Sequence, residues 1–284
     1  MAYQTVSIGA AHWQAEIAPE YGANPVSVRY RGQDVLVPWS EDITDPFLIG
    51  APLLLPANRT AGGRFCFGGT EYRLPVNNPF SNANLHGDLY HQHFRVIEQE
   101  SDYVRLDYVN QGEIYPFSFR VSVTYRVGDE GFSSEYIIEN LSASAMPLTF
   151  GLHTTFPEPD QFRVPLAACQ EKDARHIPTG RYIPLNPQEE LYCTGSPSRD
   201  LVISGFYLAG GETARIGPKL HYRVTGFDHW VLYNGRGEGG FLCIEPQLGG
   251  VNALNSPTNC PVLRKEEALH LKTLLWFTSD TALD

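Results

Sequence analysis

Ionisable side chains stand at three strand ends beside glycine or proline: Leu85-His86-Gly87, Phe150-Gly151-Leu152-His153-Thr154-Thr155-Phe156-Pro157 and Cys243-Ile244-Glu245-Pro246-Gln247. A fourth polar element, Asn58-Arg59, follows the short apolar stretch 52–56. Residues 241–244 are continuously apolar, so Glu245 emerges from a buried strand. A carboxyl in apolar surroundings has its charged form disfavoured, and its pKa rises toward the range useful to a general base. His153 likewise follows an apolar strand end. An imidazole titrates near neutrality, and a guanidinium is an always-charged fork of five donors. One glutamate, two histidines and Arg59 as an electrostatic clamp suit a polyhydroxylated ligand whose oxygens must be held, deprotonated and protonated. The plainer alternatives are structural: Arg59 in a surface ion pair, His86 satisfied within its loop, His153 bonded to a backbone carbonyl, Glu245 capping a turn.

The segments that must position these groups read as strands. Between Arg59 and His86, residues 63–75 alternate aromatic and polar residues about a Gly68-Gly69-Thr70 turn. That pattern predicts a β-hairpin holding Arg59 and His86 beside each other. Residues 3–18, 26–31 and 35–37 also read as strands, and 94–98, 103–109, 117–127 and 132–140 form a meander of period-two segments separated by turns. Residues 157–200 read as long loops with one or two short strands, and the end returns to strands at 220–224, 230–234, 241–245 and 268–277. No helical period runs over ten residues, and there is no linker, repeat or low-complexity tract. The expectation is one all-β domain over 1–284, a sandwich or barrel.

Composition narrows the partners. The chain of 284 residues carries a formal net charge of −11, against a nucleic-acid or anionic-membrane partner. Five scattered cysteines without CxxC spacing fit free thiols in a reducing compartment. The first residues lack a signal-peptide pattern and no apolar run reaches spanning length, so the expected location is the cytoplasm.

Taken in order, Asn58-Arg59, the pattern Gly63-x-Phe65-x-Phe67-x-Gly69-x-x-Tyr72-x-Leu74-Pro75-x-Asn77, Leu85-His86-Gly87, His153-Thr154-Thr155-Phe156, Pro178-Thr179-Gly180, Ile244-Glu245-Pro246-Gln247 and Asn252-Ala253-Leu254-Asn255 resemble the aldose 1-epimerase (galactose mutarotase) family. The resemblance spans roughly residues 22–273. It implies a twisted antiparallel β-sandwich with a monosaccharide in an open cleft on one sheet. It also implies roles: Glu245 as general base at the anomeric hydroxyl, His153 as general acid at the ring oxygen, His86 beside that oxygen, and Arg59, Asn58 and Gln247 as sugar-binding positions. No cofactor and no metal are implied. The acceptor and the donor are expected on opposite sides of a sugar-sized hollow, in a monomer or homodimer. Many family members place a sugar-binding aspartate upstream of the glutamate. The matching region here, 201–207, has no acid, and Asp200 and Asp228 align poorly with that place.

Other features carry less. His86, His91 and His93 could be read as a metal cluster, with His91 and His93 on one face of a strand over 90–96, but no fourth ligand is evident. The glycines of 235–240 lack dinucleotide-loop spacing and read as a hairpin connection. Trp39, Trp230 and Trp276 read as core, with Trp230 the nearest to a sugar platform. Two alternatives remain on the same fold. One is a hexose-6-phosphate 1-epimerase, which needs clustered cations such as Arg59, Arg64 and Arg73 at the cleft. The other is a non-catalytic carbohydrate-binding or sugar-sensing protein.

Overall fold

Alternation dictates the strands. In Phe119–Gly128, Phe119, Val121, Val123, Tyr125 and Val127 are buried while Arg126 is exposed. The neighbouring Gly131–Asn140 buries Phe132, Tyr136 and Ile138 in the same way. Each large apolar side chain taken out of water contributes roughly 1.5–3 kcal/mol. The computed structural model describes residues 3–237, 239–256 and 260–278. It is an all-β twisted sandwich built on two large antiparallel sheets.

One sheet runs in the order Arg95–Gln99, Tyr103–Asn110, Phe119–Gly128, Gly131–Asn140, Ala268–Phe277, Leu220–Thr225, Thr213–Ile216 and Phe162–Arg163. The other runs Pro178–Ile183, Leu166–Lys172, Ser204–Ala209, His229–Tyr233, Phe241–Leu248, Phe150–Leu152 and Leu53–Leu54, with Thr155–Pro157 also paired to Phe241–Leu248. Tyr136 packs on Phe150 and Tyr222 on Trp230 between them, and Thr154 Oγ1 bonds the Tyr222 hydroxyl at 2.9 Å. A smaller sheet over Val6–Ala10, Trp13–Ala18, Asn24–Tyr30 and Gln33–Asp34 leads into them.

Three expectations need correction. Residues 35–37 are not a strand: the turn at 31–32 returns through Gln33–Asp34, and Val35 and Leu36 go straight into the core. Arg95–Gln99 is an edge strand with every residue exposed. The 157–200 region holds more regular structure than its composition suggests, namely the strand Phe162–Arg163 of the first sheet, two strands of the second and the helix Pro187–Thr194. A capping box starts that helix, Asn186 accepting from the amides of Gln188 and Glu189 while Glu189 accepts the Asn186 amide. Its eight residues are too few to show a helical period.

The hairpin over Arg64–Phe67 and Thr70–Arg73 forms as expected, with positive φ at Gly68 and Gly69. A second short ladder does the positioning. Arg59–Ala61 pairs with Ala83–Leu85, Arg59 standing opposite Leu85, and the His86 amide donates to the Asn58 carbonyl at 2.7 Å. Asn58 and His86 both lie in the left-handed region, at φ 54 and 64. Gly87 follows at φ 61, and a Cβ there would lie 1.8 Å from the Leu55 carbonyl oxygen. Gly87→Ala is therefore expected to destabilise the fold by about 2–4 kcal/mol and to displace His86. Urea unfolding checks this: an unchanged midpoint would mean that the loop has room to spare.

Candidate active site

Glu245 lies on Phe241–Leu248, the strand with neighbours on both sides in the second sheet. Alternate residues of a strand share a face. Ile244 and Leu242 enter the core, and Cys243, Glu245 and Gln247 turn to the opposite face. Gly151 pairs with Gln247 and Thr155 with Cys243, so His153, midway between, stands opposite Glu245. His153 Nε2 and Glu245 Oε1 are 3.4 Å apart, with side-chain exposures of 7% and 2%. The expected hollow exists, a cavity of about 340 Å³, and both groups line it. They do not face each other across it, because one ladder register sets them side by side.

His86 completes the cluster, its ring edge-on to that of His153 at 5.3 Å between centroids. The Phe47 ring packs on both imidazoles, 4.5 Å from His86 and 5.5 Å from His153. Arg59 enters from the short ladder. Its guanidinium donates to Asn58 Oδ1 at 2.8 Å and Ser81 Oγ at 3.0 Å, and lies 5.8 Å from the Phe206 ring centre. Among the described residues no carboxylate bonds it.

Burial governs the protonation of the cluster. It pushes the Glu245 carboxyl up to about 8, against the Gln247 hydrogen bond and Arg59, which pull it down. It brings His153 down to about 4, against the carbonyls of His153 and Phe47. His86 lies well below the ordinary imidazole value, through burial first and then His153 and Arg59. Arg59 is lowered by burial, with Glu245 opposing. Near neutrality the Glu245–His153 pair thus holds one proton, resting on Glu245. Two ionisable groups in contact titrate as a unit, and this unit can take a proton at one end while giving one at the other.

Five of the six residues given site roles from the sequence line the cavity: Asn58, Arg59, His86, His153 and Glu245. Gln247 is fully buried, outside the lining, and donates to Glu245 Oε2 at 3.1 Å. It therefore holds the carboxyl and does not face the cavity. The histidine cluster does not assemble: Leu89–His91 is a 3-10 turn, and His91 bonds Asp88. Among the described residues no group of three or more His, Cys, Asp or Glu is placed to hold a metal. Arg64 and Arg73 are exposed on the hairpin, Arg73 pairs with Glu71, and neither lines the cavity. Trp230 is wholly buried and bonds the Gly211 carbonyl. Phe47, Phe80 and Phe206 are the aromatic walls instead, together with Ser204, His176 and Tyr233. They come from loops and neighbouring strands whose sequence carries no distinguishing pattern. Asp228 does not enter the cavity; it accepts from the Gly249 amide at 2.8 Å and bonds His229.

The model of the aldose 1-epimerase family matches residues 4–206. The chain belongs to that family. The matched span contains Asn58, Arg59, His86 and His153. The whole chain resembles family structures: a galactose mutarotase-like protein from Clostridium acetobutylicum superposes with a TM-score of 0.90 at 20% identity, covering 98% of this chain and 96% of that one. A GalM/aldose epimerase homologue from C. elegans superposes at 0.82 with 18% identity, covering 98% and 99%. At such identities the likeness speaks for the fold. The uncharacterised Escherichia coli proteins YihR and YphB are each 29% identical, over 152 and 175 residues. The match covers 53% and 61% of this chain, and 49% and 60% of those proteins.

The raised Glu245 pKa has a consequence for stability. The folded state holds this proton more tightly than an ordinary carboxyl at 4.5 does. The stability it confers is complete below about 4.5 and is lost as pH rises to about 8. Glu245→Gln removes the titration, so its melting temperature should exceed that of the wild type by a margin that grows from pH 5 to pH 9. An equal margin at both pH values would show that the carboxyl is not desolvated.

Proposed function

We propose that the chain is a cofactor-independent mutarotase that interconverts the α and β anomers of an aldose. The observation that carries this reading is the contact of His153 Nε2 with Glu245 Oε1, 3.4 Å apart, where both line the cavity. Mutarotation requires a proton to leave the C1 hydroxyl and another to reach the ring oxygen while the bond between C1 and that oxygen breaks. Rotation about C1–C2 and reclosure run the same transfers backward. Glu245 takes the proton from the C1 hydroxyl and His153 delivers one to the ring oxygen, so the pair as a whole neither gains nor loses a proton. In the free site the shared proton rests on Glu245, so it first passes to His153 across their 3.4 Å contact, leaving a carboxylate acceptor and an imidazolium donor, and ring opening returns it to Glu245. His86 borders the ring oxygen, and Arg59 with Asn58 holds sugar oxygens and draws electron density as charge develops. Gln247 fixes the carboxyl from behind.

The rigid sheet supports the transfer. Glu245 projects from Phe241–Leu248 and His153 from the two-residue link between Phe150–Leu152 and Thr155–Pro157, both of which pair with that strand, which holds donor and acceptor in place before substrate arrives. The cavity, at about 340 Å³, is small among ligand sites, which span roughly 300–1,000 Å³, and suits one monosaccharide.

Polarimetry over a panel of neutral and acidic aldoses tests the reading. Glu245→Gln and His153→Ala should each lower kcat by about 10²–10⁴-fold with the fold intact, and rates near wild type in either variant would exclude its role. The pH profile is a separate check. Because the active pair holds one proton, kcat/KM should form a plateau between about 4 and about 8, falling on both sides. A rate still rising above pH 9 would contradict proton sharing by this pair.

A further inference from the structure

One wall of the cavity has the wrong charge for a neutral sugar. Hydroxyl groups are commonly gripped by a carboxylate acceptor, yet the lining acids are Glu245, which rests protonated, and the exposed Asp45, whose Oδ1 accepts the Phe47 amide. The strands beside that of Glu245 contribute donors. Ser204 and Tyr233 stand opposite each other on adjacent strands and both line the cavity. Lys172, at the end of the next strand, donates from Nζ to the Ser204 carbonyl at 2.7 Å and to Ser204 Oγ at 3.3 Å. Since that hydroxyl oxygen accepts from an ammonium, its own proton is free to donate elsewhere. Lys172 Nζ also lies 4.5 Å from the Phe206 ring centre, the same ring that Arg59 approaches at 5.8 Å. The two cations therefore sit within the sum of those distances of each other.

Among the described residues neither cation has a carboxylate partner. The neighbouring Glu171 is engaged by Arg181 and Thr179, and Glu189 by Tyr207 and the Asn186 amide. Glu189 acts on Lys172 and Glu245 on Arg59 only through space, and two partly buried cations without an ion-pair partner are costly, a cost that a bound anion would offset. Lys172 shows the strain: burial and then Arg59 lower its pKa to about 8. Ser204 also falls inside the 201–207 stretch, where no acid occurs.

We propose that Lys172, Ser204 and Arg59 form an anion subsite, and that the substrate is an aldose carrying a carboxylate or a phosphate. This rests on the mutarotase reading of the same cavity. The anion accepts from the Ser204 hydroxyl, with the Lys172 ammonium behind it and the Arg59 guanidinium beside it. Arg64 and Arg73 on the hairpin take no part.

Anomer exchange of D-glucose, D-glucuronate and D-glucose 6-phosphate is to be followed by NMR at low ionic strength. For at least one charged sugar, kcat/KM should exceed that of D-glucose by about 10-fold or more. Lys172→Met should cut that ratio about 10-fold, mainly through KM, Lys172→Arg should restore most of it, and Ser204→Ala should lower it. Preference for glucuronate assigns a carboxylate, and preference for the 6-phosphate assigns a phosphate; either supports the subsite. A wild-type ratio near one, or a ratio that neither Lys172→Met nor Ser204→Ala moves, overturns it and leaves the mutarotase reading standing. If Lys172→Met does not fold, the wild-type ratio and Ser204→Ala decide. If no sugar is anomerised but a charged one raises the melting temperature more than D-glucose does, and Lys172→Met abolishes the difference, the subsite stands and the reaction is wrong.

Discussion

The burial of a carboxyl against an imidazole is the constraint around which this molecule is arranged. Removing Glu245 from water disfavours its charge, and removing His153 disfavours its charge as well, so the two share one proton instead of forming a stable ion pair. Such a pair is unfavourable for folding and useful for proton transfer. The surrounding structure keeps it in place. The Glu245 strand is hydrogen-bonded to the short strands on either side of His153 in a register that admits no slip without turning every inward residue outward. Below them, Trp230, Phe156 and Tyr222 fill the space between the sheets.

Around that pair the polar groups are held from behind. Gln247 grips the carboxyl, Asn58 and Ser81 grip the guanidinium, and Phe47 covers both imidazoles. Backbone strain is concentrated here too, with Asn58 and His86 in the left-handed region. Nδ1 of His86, Nδ1 of His153 and Oε1 of Gln247 are buried without a protein hydrogen-bond partner among the described residues. Buried polar atoms are normally satisfied, and their concentration beside one cavity marks a site where stability has given way to chemistry.

Membership of the aldose 1-epimerase family and the sandwich architecture agree with this arrangement. Within that frame one part of the cavity wall carries cations and donors. An ammonium backs the Ser204 hydroxyl, an arginine stands near it, and the remaining acids lie toward the other end or rest protonated.

The sequence by itself determined the strands, since period-two burial in stretches such as Phe119–Gly128 is a local property. It also picked out the residues that line the cavity, because Glu245 and His153 close apolar strands and Arg59 follows an apolar stretch whose burial any packing must preserve. Shorter signals were weaker: the capping box at Asn186 marks a helix that periodicity over eight residues cannot reveal. The tertiary structure alone decided that His153 stands beside Glu245 and not across from it, that Gln247 serves the carboxyl, and that Phe206, Ser204 and Lys172 share a wall. Those facts depend on which strands pair and in what register, and pairing between residues dozens of positions apart leaves no trace in local composition.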